Sequence, residues 1–184
     1  MYEYKKQQMF KYLFYIILLS LMNVCYSETH LELHGVINKH LVQDFNERVK
    51  EYPYEKNFVV HFNTPGGSVL DGMQLLPFFE KNNVVCIVSK AYSMGFVLLQ
   101  ACQVRKIEKY GSIMMHDMQM AFNHIEFSKL QSYLNFLSKI YEDLLLMQIK
   151  KIGISRENFL NKIRSDWWMD AKDALVHHCV DEII

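Results

Sequence analysis

Two short runs of large apolar residues, 58–62 and 84–88, constrain the fold of this chain more than any other feature. Each reads as a buried strand bounded by turn residues. Segments with a helical period surround them. Leu41, Val42, Phe45, Val49 and Tyr52 share one face of a helix that Asn38 can cap, and Met73, Leu76 and Phe79 mark another. Residues 31–37 read as a strand, and short strands are expected at 104–107 and 113–115. A helix is expected from Ser93 to about Cys102. A long amphipathic helix then runs from about Glu126 to Lys151, with Phe127, Leu130, Leu134, Leu137, Tyr141, Leu144 and Met147 at three- and four-residue steps. Gly153 is placed to end it and Asp170 to cap a last helix. Such alternation implies an α/β layered domain with a largely parallel sheet.

With 184 residues, of which 51% are hydrophobic, the chain suits one packed domain plus a short appendage. Lys+Arg and Asp+Glu each total 20, so charge gives no argument for nucleic acid as a partner. The appendage is residues 1–27. Lys5, Lys6 and Lys11 precede an apolar stretch over 12–19, and Ser27 follows before polar Glu28. That order is expected of a signal peptide or, failing cleavage, a membrane anchor. It implies a secreted, periplasmic, lumenal or membrane-anchored protein, the alternative being a cytoplasmic chain with an N-terminal extension. Residues 28–184 form the domain. The cysteines, Cys25, Cys86, Cys102 and Cys179, show no paired spacing, and Cys86 and Cys102 read as small buried hydrophobes.

Three segments carry the candidate chemistry. Thr64-Pro65-Gly66-Gly67 lies between a strand and a helix, where adjacent glycines can present backbone N–H groups to negative charge; it also reads as a plain tight turn. Tyr92-Ser93-Met94-Gly95 sets a serine at a helix start, as a nucleophile or simply as an N-cap. Met114-Met115-His116 delivers one histidine from an apolar strand, where a lone histidine is more often a core residue hydrogen-bonded to backbone.

In this order and spacing the three segments resemble the proteolytic subunit of the Clp protease, over roughly residues 31–184. The resemblance implies a ClpP/crotonase-like fold of repeated β-β-α units, and a serine endopeptidase acting on peptides or unfolded segments without a cofactor. Carried over residue by residue, it implies a triad of Ser93, His116 and Asp166, with Asp166 beginning the Asp-Trp-Trp-Met-Asp-Ala stretch near the last helix. Asp117 and Asp170 compete for the third place; Asp117 is expected to point to the opposite face of the strand from His116, and Asp170 to be a cap. The implied oxyanion donors are the amides of Gly67 and Met94, and Gly66, Tyr92 and Phe96 are expected to shape the substrate pocket. A homo-oligomer is implied as well. Segment 117–124 lacks the proline and glycines that the family uses in joining two rings, and the signal-like segment stands where the family meets an ATP-driven unfoldase, so that partner is not expected. Other readings are a crotonase-like acyl-thioester enzyme, a non-catalytic subunit, and a membrane-associated Ser-Lys peptidase using Lys129 or Lys139.

Overall fold

The computed structural model describes residues 28–121 and 126–184, so the expectation for residues 1–27, like His124, lies outside it. Strand β1 (Thr29–His34) leads to α1 (Lys39–Lys50), β2 (Asn57–Thr64), a short helix α2 (Val69–Gly72) running through a 3-10 turn into α3 (Leu76–Lys81), and β3 (Asn83–Tyr92). Helix α4 (Met94–Ala101), β4 (Val104–Met115), α5 (Phe127–Ile152), α6 (Arg156–Ile163), β5 (Trp167–Asp170), α7 (Ala171–Val176) and β6 (Glu182–Ile183) complete it. The sheet order is β1-β2-β3-β4-β5, with β6 pairing β4 beside the path. All its pairings are parallel except β4 with β5.

The expected mostly parallel sheet with flanking helices is therefore what forms. Asn38 caps α1 by accepting from the Leu41 N–H, Asp170 caps α7 by accepting from Lys172 and Asp173, and Gly153 closes α5 at φ 78°. The two short strands expected at 104–107 and 113–115 are instead one strand. Ile107 pairs with Val88 but Ser112 pairs with Lys90, so residues 108–111 leave the ladder with β3 without ending the strand.

Burial explains the choice of strands. Val60, Val84, Cys86 and Val88, which share one face of the sheet, have no exposed surface, while Val85 and Ile87 on the other face are half-buried. Phe45 from α1 and Phe78 and Phe79 from α3 close over Phe58 and Phe62 of β2 with ring centroids 5.0–6.3 Å apart. Each such ring contributes roughly 1.5–3 kcal/mol by leaving water. Helix α4 is buried from Met94 to Gln100 and packs against α5, which is why it is apolar all round.

At the far end of α4 the buried Arg105 donates to Asp181 through Nε and a terminal nitrogen, at 3.1 and 2.6 Å, and to Gln100 Oε1 at 2.5 Å. Burial acts to raise the Asp181 carboxyl, but the Arg105 hydrogen bonds and charge outweigh it and hold the group below its usual range.

Cys86 and Cys102 form a disulfide, with Cα atoms 6.1 Å apart. This corrects their reading as unpaired hydrophobes. Helix α4 runs back along β3, so the residue that ends the helix passes the middle of the strand, a proximity that a separation of 16 residues does not reveal. The closed loop contains Ser93. A loop of this length stabilises the native state by about 3 kcal/mol in the chain-entropy account. Thermal unfolding with and without a thiol reductant should show a loss of that order, and a Cys102→Ala variant should become insensitive to the reductant.

Candidate active site

The register of the sheet builds the site. Thr64 at the end of β2 lies beside Ala91 of β3, and Tyr92 lies beside Met114 of β4. The carboxyl ends of three parallel strands thus fall at one edge, where ligands bind in open α/β sheets. Loop 65–67, Ser93 and His116 leave from these ends.

Ser93 has φ 54° and ψ −117°, outside the regions open to ordinary residues. Its N–H donates to the Met114 carbonyl at 2.8 Å, holding the turn, and its side chain makes no capping hydrogen bond. The N-cap reading of this serine therefore fails. A non-glycine residue in such a conformation costs on the order of 1–3 kcal/mol and is kept only where its surroundings impose it.

Those surroundings are loop 64–67. The buried Thr64 hydroxyl donates to the Gly35 carbonyl at 2.6 Å and accepts from the Gly66 N–H at 3.0 Å. Gly66 has φ 88°, and a methyl there would collide with the Tyr92 carbonyl oxygen and lie 2.8 Å from Cβ of Ser93. Gly67 pairs with Ile37 in an isolated parallel bridge: Ile37 donates to Gly66 and accepts from Ser68, both at 2.8 Å. In a parallel bridge the central residue's own N–H points away from its partner. The Gly67 N–H accordingly donates to no protein acceptor among the described residues. Met94 is the first residue of α4, so its N–H lacks an acceptor within the helix.

Ser93, Met94, Gly67 and His116 line one cavity of about 300 Å³. The Nδ1 of His116 lies 2.6 Å from the Asp117 carbonyl oxygen. A carbonyl only accepts, so Nδ1 carries the proton and Nε2 is left as the basic nitrogen. No hydrogen bond joins the Ser93 hydroxyl to the ring among the described residues.

Asp166 is placed differently. The last pair of the β4–β5 ladder is Met115 with Trp167, so Asp166 and His116 each lie one residue beyond it and outside the pairing. Its side chain is exposed, lies outside the cavity lining and makes no hydrogen bond among the described residues; its backbone has φ 50°. The Asp117 carbonyl does the orienting here. Asp117 itself does not point away from His116: β4 ends at Met115, the alternation of a strand stops there, and both residues line the cavity.

Tyr92 and Phe96 do not shape the pocket, contrary to expectation. The Tyr92 hydroxyl lies 2.7 Å from the Ser112 hydroxyl and its ring meets Trp168 edge-on at 5.0 Å, across the sheet. Phe96 is fully buried, 6.4 Å from the Trp167 ring. Helix geometry gives the reason. Met94 and Val97, three residues apart, share the face toward the cavity, and Phe96 falls on another. Gly66 supports Ser93 from behind without lining the cavity. Lys129 and Lys139 are exposed on α5 and outside the cavity, Lys129 being paired with Glu126 at 2.6 Å, so neither serves as a base.

The cavity has walls that the motifs do not announce. Tyr141, Leu144 and Gln148 come from α5, and Phe159 and Ile163 from α6. Burial, followed by the hydrogen bond and negative charge of Asp117, pushes the Tyr141 hydroxyl up to about 12. A folded value above the unfolded one, near 10, gives stability that is complete below pH 10 and lost as pH rises toward 12. Chemical denaturation across pH 9–12 should show that decline, and Tyr141→Phe should flatten it. Gln148 is 2% exposed and its Oε1 has no hydrogen-bond donor among the described residues, an omission that costs roughly 1–3 kcal/mol.

The profile of the family described as Clp protease matches residues 18–184. An ATP-dependent Clp protease proteolytic subunit of Borreliella afzelii is 24% identical over 134 residues, which is 70% of this chain and 68% of the relative. The protein of the same name from Borrelia garinii subsp. bavariensis is also 24% identical, over 70% and 69% of the two chains. The chain belongs to the Clp protease family.

Proposed function

We propose that this chain is a serine endopeptidase that cleaves peptides or unfolded segments through an acyl-enzyme on Ser93. The observation that carries this reading is the backbone of Ser93. A residue held at φ 54°, with its hydroxyl unused for capping and two unengaged amides alongside, has the features of an activated nucleophile. His116, with Nδ1 protonated, supplies the complementary base.

In the proposed reaction Nε2 of His116 takes the hydroxyl proton as Oγ of Ser93 bonds to the scissile carbonyl carbon. The carbonyl oxygen becomes an oxyanion facing the N–H groups of Gly67 and Met94. The C–N bond then breaks and His116 returns the proton to the leaving amine. Water, deprotonated by the same nitrogen, releases the acid from the ester. Asp166, whose side chain is exposed and outside the cavity, would support the imidazolium ion only after a rearrangement that brings it to the ring. The family and the names of the relatives support a peptidase; the assignment of Ser93, His116 and Asp166, and assembly as a homo-oligomer, are part of the proposal.

The test is hydrolysis of a fluorogenic peptide by the full-length protein in the presence of a serine-directed β-lactone. Turnover that declines with time of exposure to the lactone is the expected result. Turnover indifferent to the lactone, or none from folded protein, would overturn the reading.

A further inference from the structure

The Asp117 carbonyl that fixes the His116 ring stands on a stretch of chain with little to hold it. Strand β4 ends at Met115, and no backbone–backbone hydrogen bond reaches residues 117–121 among the described residues. Met118 packs partly buried against the core, and its N–H donates to Asp117 Oδ1 at 2.9 Å. That hydrogen bond joins neighbours and ties the stretch to nothing else. A group that must hold a base in one geometry needs an anchor on a rigid element.

Helix α5 supplies one. Tyr141 lies near the middle of this 26-residue helix, between buried Ile140 and Leu144. Tyr141, Asp117 and Met118 line both the Ser93 cavity and a second cavity of about 420 Å³ beside it, so they form the partition between the two. There the Tyr141 hydroxyl forms a hydrogen bond with the Asp117 side chain. An ionised carboxylate only accepts, so the phenol donates. Glu142, the next carboxylate along the helix, is engaged by Arg156 at 2.8 Å. Two hydrogen bonds thus connect α5 to the imidazole, one at the side chain of residue 117 and one at its carbonyl, 2.6 Å from His116 Nδ1.

We propose that Tyr141 is a positioning residue for the base His116, acting through Asp117. The side chain of residue 117 is held by α5, and its carbonyl then keeps the proton on Nδ1 and leaves Nε2 unprotonated. Without that anchor the carbonyl moves off and the proton is free to settle on Nε2, a form that cannot accept from a serine. The anchor needs an acceptor at residue 117 and no charge, so an asparagine oxygen can serve in place of the carboxylate.

The inference rests on the reading of His116 as the base of a peptidase, and its test keeps the two apart. Steady-state kinetics on the full-length protein compare Tyr141→Phe, Asp117→Ala, Asp117→Asn and the double variant Tyr141→Phe/Asp117→Ala. Tyr141→Phe keeps the ring and its packing, and is expected to lose about tenfold in kcat with KM nearly unchanged. Asp117→Ala should lose as much, the double variant no more than either, and Asp117→Asn should recover most of what the alanine variant loses. In parallel, the His116 tautomer is read by nitrogen-15 NMR in the Ser93→Ala protein with Tyr141 kept or replaced by phenylalanine. An imidazole protonated at Nδ1 is expected with tyrosine, and a shift toward the Nε2-protonated form with phenylalanine. Wild-type kcat in Tyr141→Phe, a loss confined to KM, or a tautomer indifferent to Tyr141 overturns this inference, and wild-type turnover then leaves the peptidase reading standing. A tautomer that depends on Tyr141 in a protein without turnover supports the inference and counts against the peptidase reading.

Discussion

Ser93→Ala is expected to lose about 10⁶ in kcat for peptide hydrolysis, with His116→Ala close behind and the double variant no worse than either, because the two act as a unit. The substitution leaves the amides of Gly67 and Met94 in place, so substrate affinity should change far less than turnover. Asp166→Asn should cost at least ten times less than His116→Ala, since the Asp117 carbonyl already fixes the imidazole tautomer. The backbone adds a second arm. Ser93 occupies a conformation that glycine adopts freely and other residues resist. Ser93→Gly should therefore be as inactive as the alanine variant but more stable, by roughly 1–3 kcal/mol, if strain is stored there. Denaturant unfolding of the two variants measures this difference. An alanine and a glycine variant of equal stability would mean that the turn is relaxed.

The second large effect is expected at Gly66. A β-carbon there meets the Tyr92 carbonyl oxygen and the Ser93 side chain, and the residue would also be held at φ 88°. The obstacle on one side is backbone, which cannot rotate away. Gly66→Ala must therefore displace loop 65–67 from the end of β3, carrying the Gly67 N–H with it. Loss of one oxyanion donor costs roughly 10²–10³ in kcat. Gly66→Ala should reach at least that figure while Ser93 and His116 remain chemically intact. Steady-state kinetics together with circular dichroism distinguishes this from unfolding. A variant with full activity would show that the loop does not serve the reaction.

Much of this architecture could be read from residue patterns, for reasons that differ by element. The runs 58–62 of β2 and 84–88 of β3 are apolar at every position but His61, so burial in a sheet follows directly. Asn38, Gly153 and Asp170 end helices through local chemistry that depends on few neighbours. Ser93, Gly67, Met94 and His116 meet in one cavity because the three motifs follow the ends of adjacent parallel strands, and that adjacency follows from the alternation of strands and helices.

The pocket walls were harder to see. Tyr92 and Phe96 are next to Ser93 in sequence, yet strand and helix periodicity turn both away from it. The residues that close the cavity come from α5 and α6, some 50–70 positions further along the chain. One signal was available. Leu137, Tyr141, Leu144 and Gln148 continue a single stripe on α5, and a glutamine where that stripe calls for an apolar residue marks the cavity wall. The Cys86–Cys102 pair was hidden for a related reason, since it depends on how closely α4 folds back along β3.

Site-resolved labelling by a fluorophosphonate tests the central claim most directly. The folded full-length protein is incubated with the probe, digested, and the modified peptide located by mass spectrometry, with His116→Ala alongside. A single adduct on Ser93 that forms far more slowly in His116→Ala is the predicted result. A folded wild-type protein that takes up no probe, or takes it up at another serine, would contradict the account.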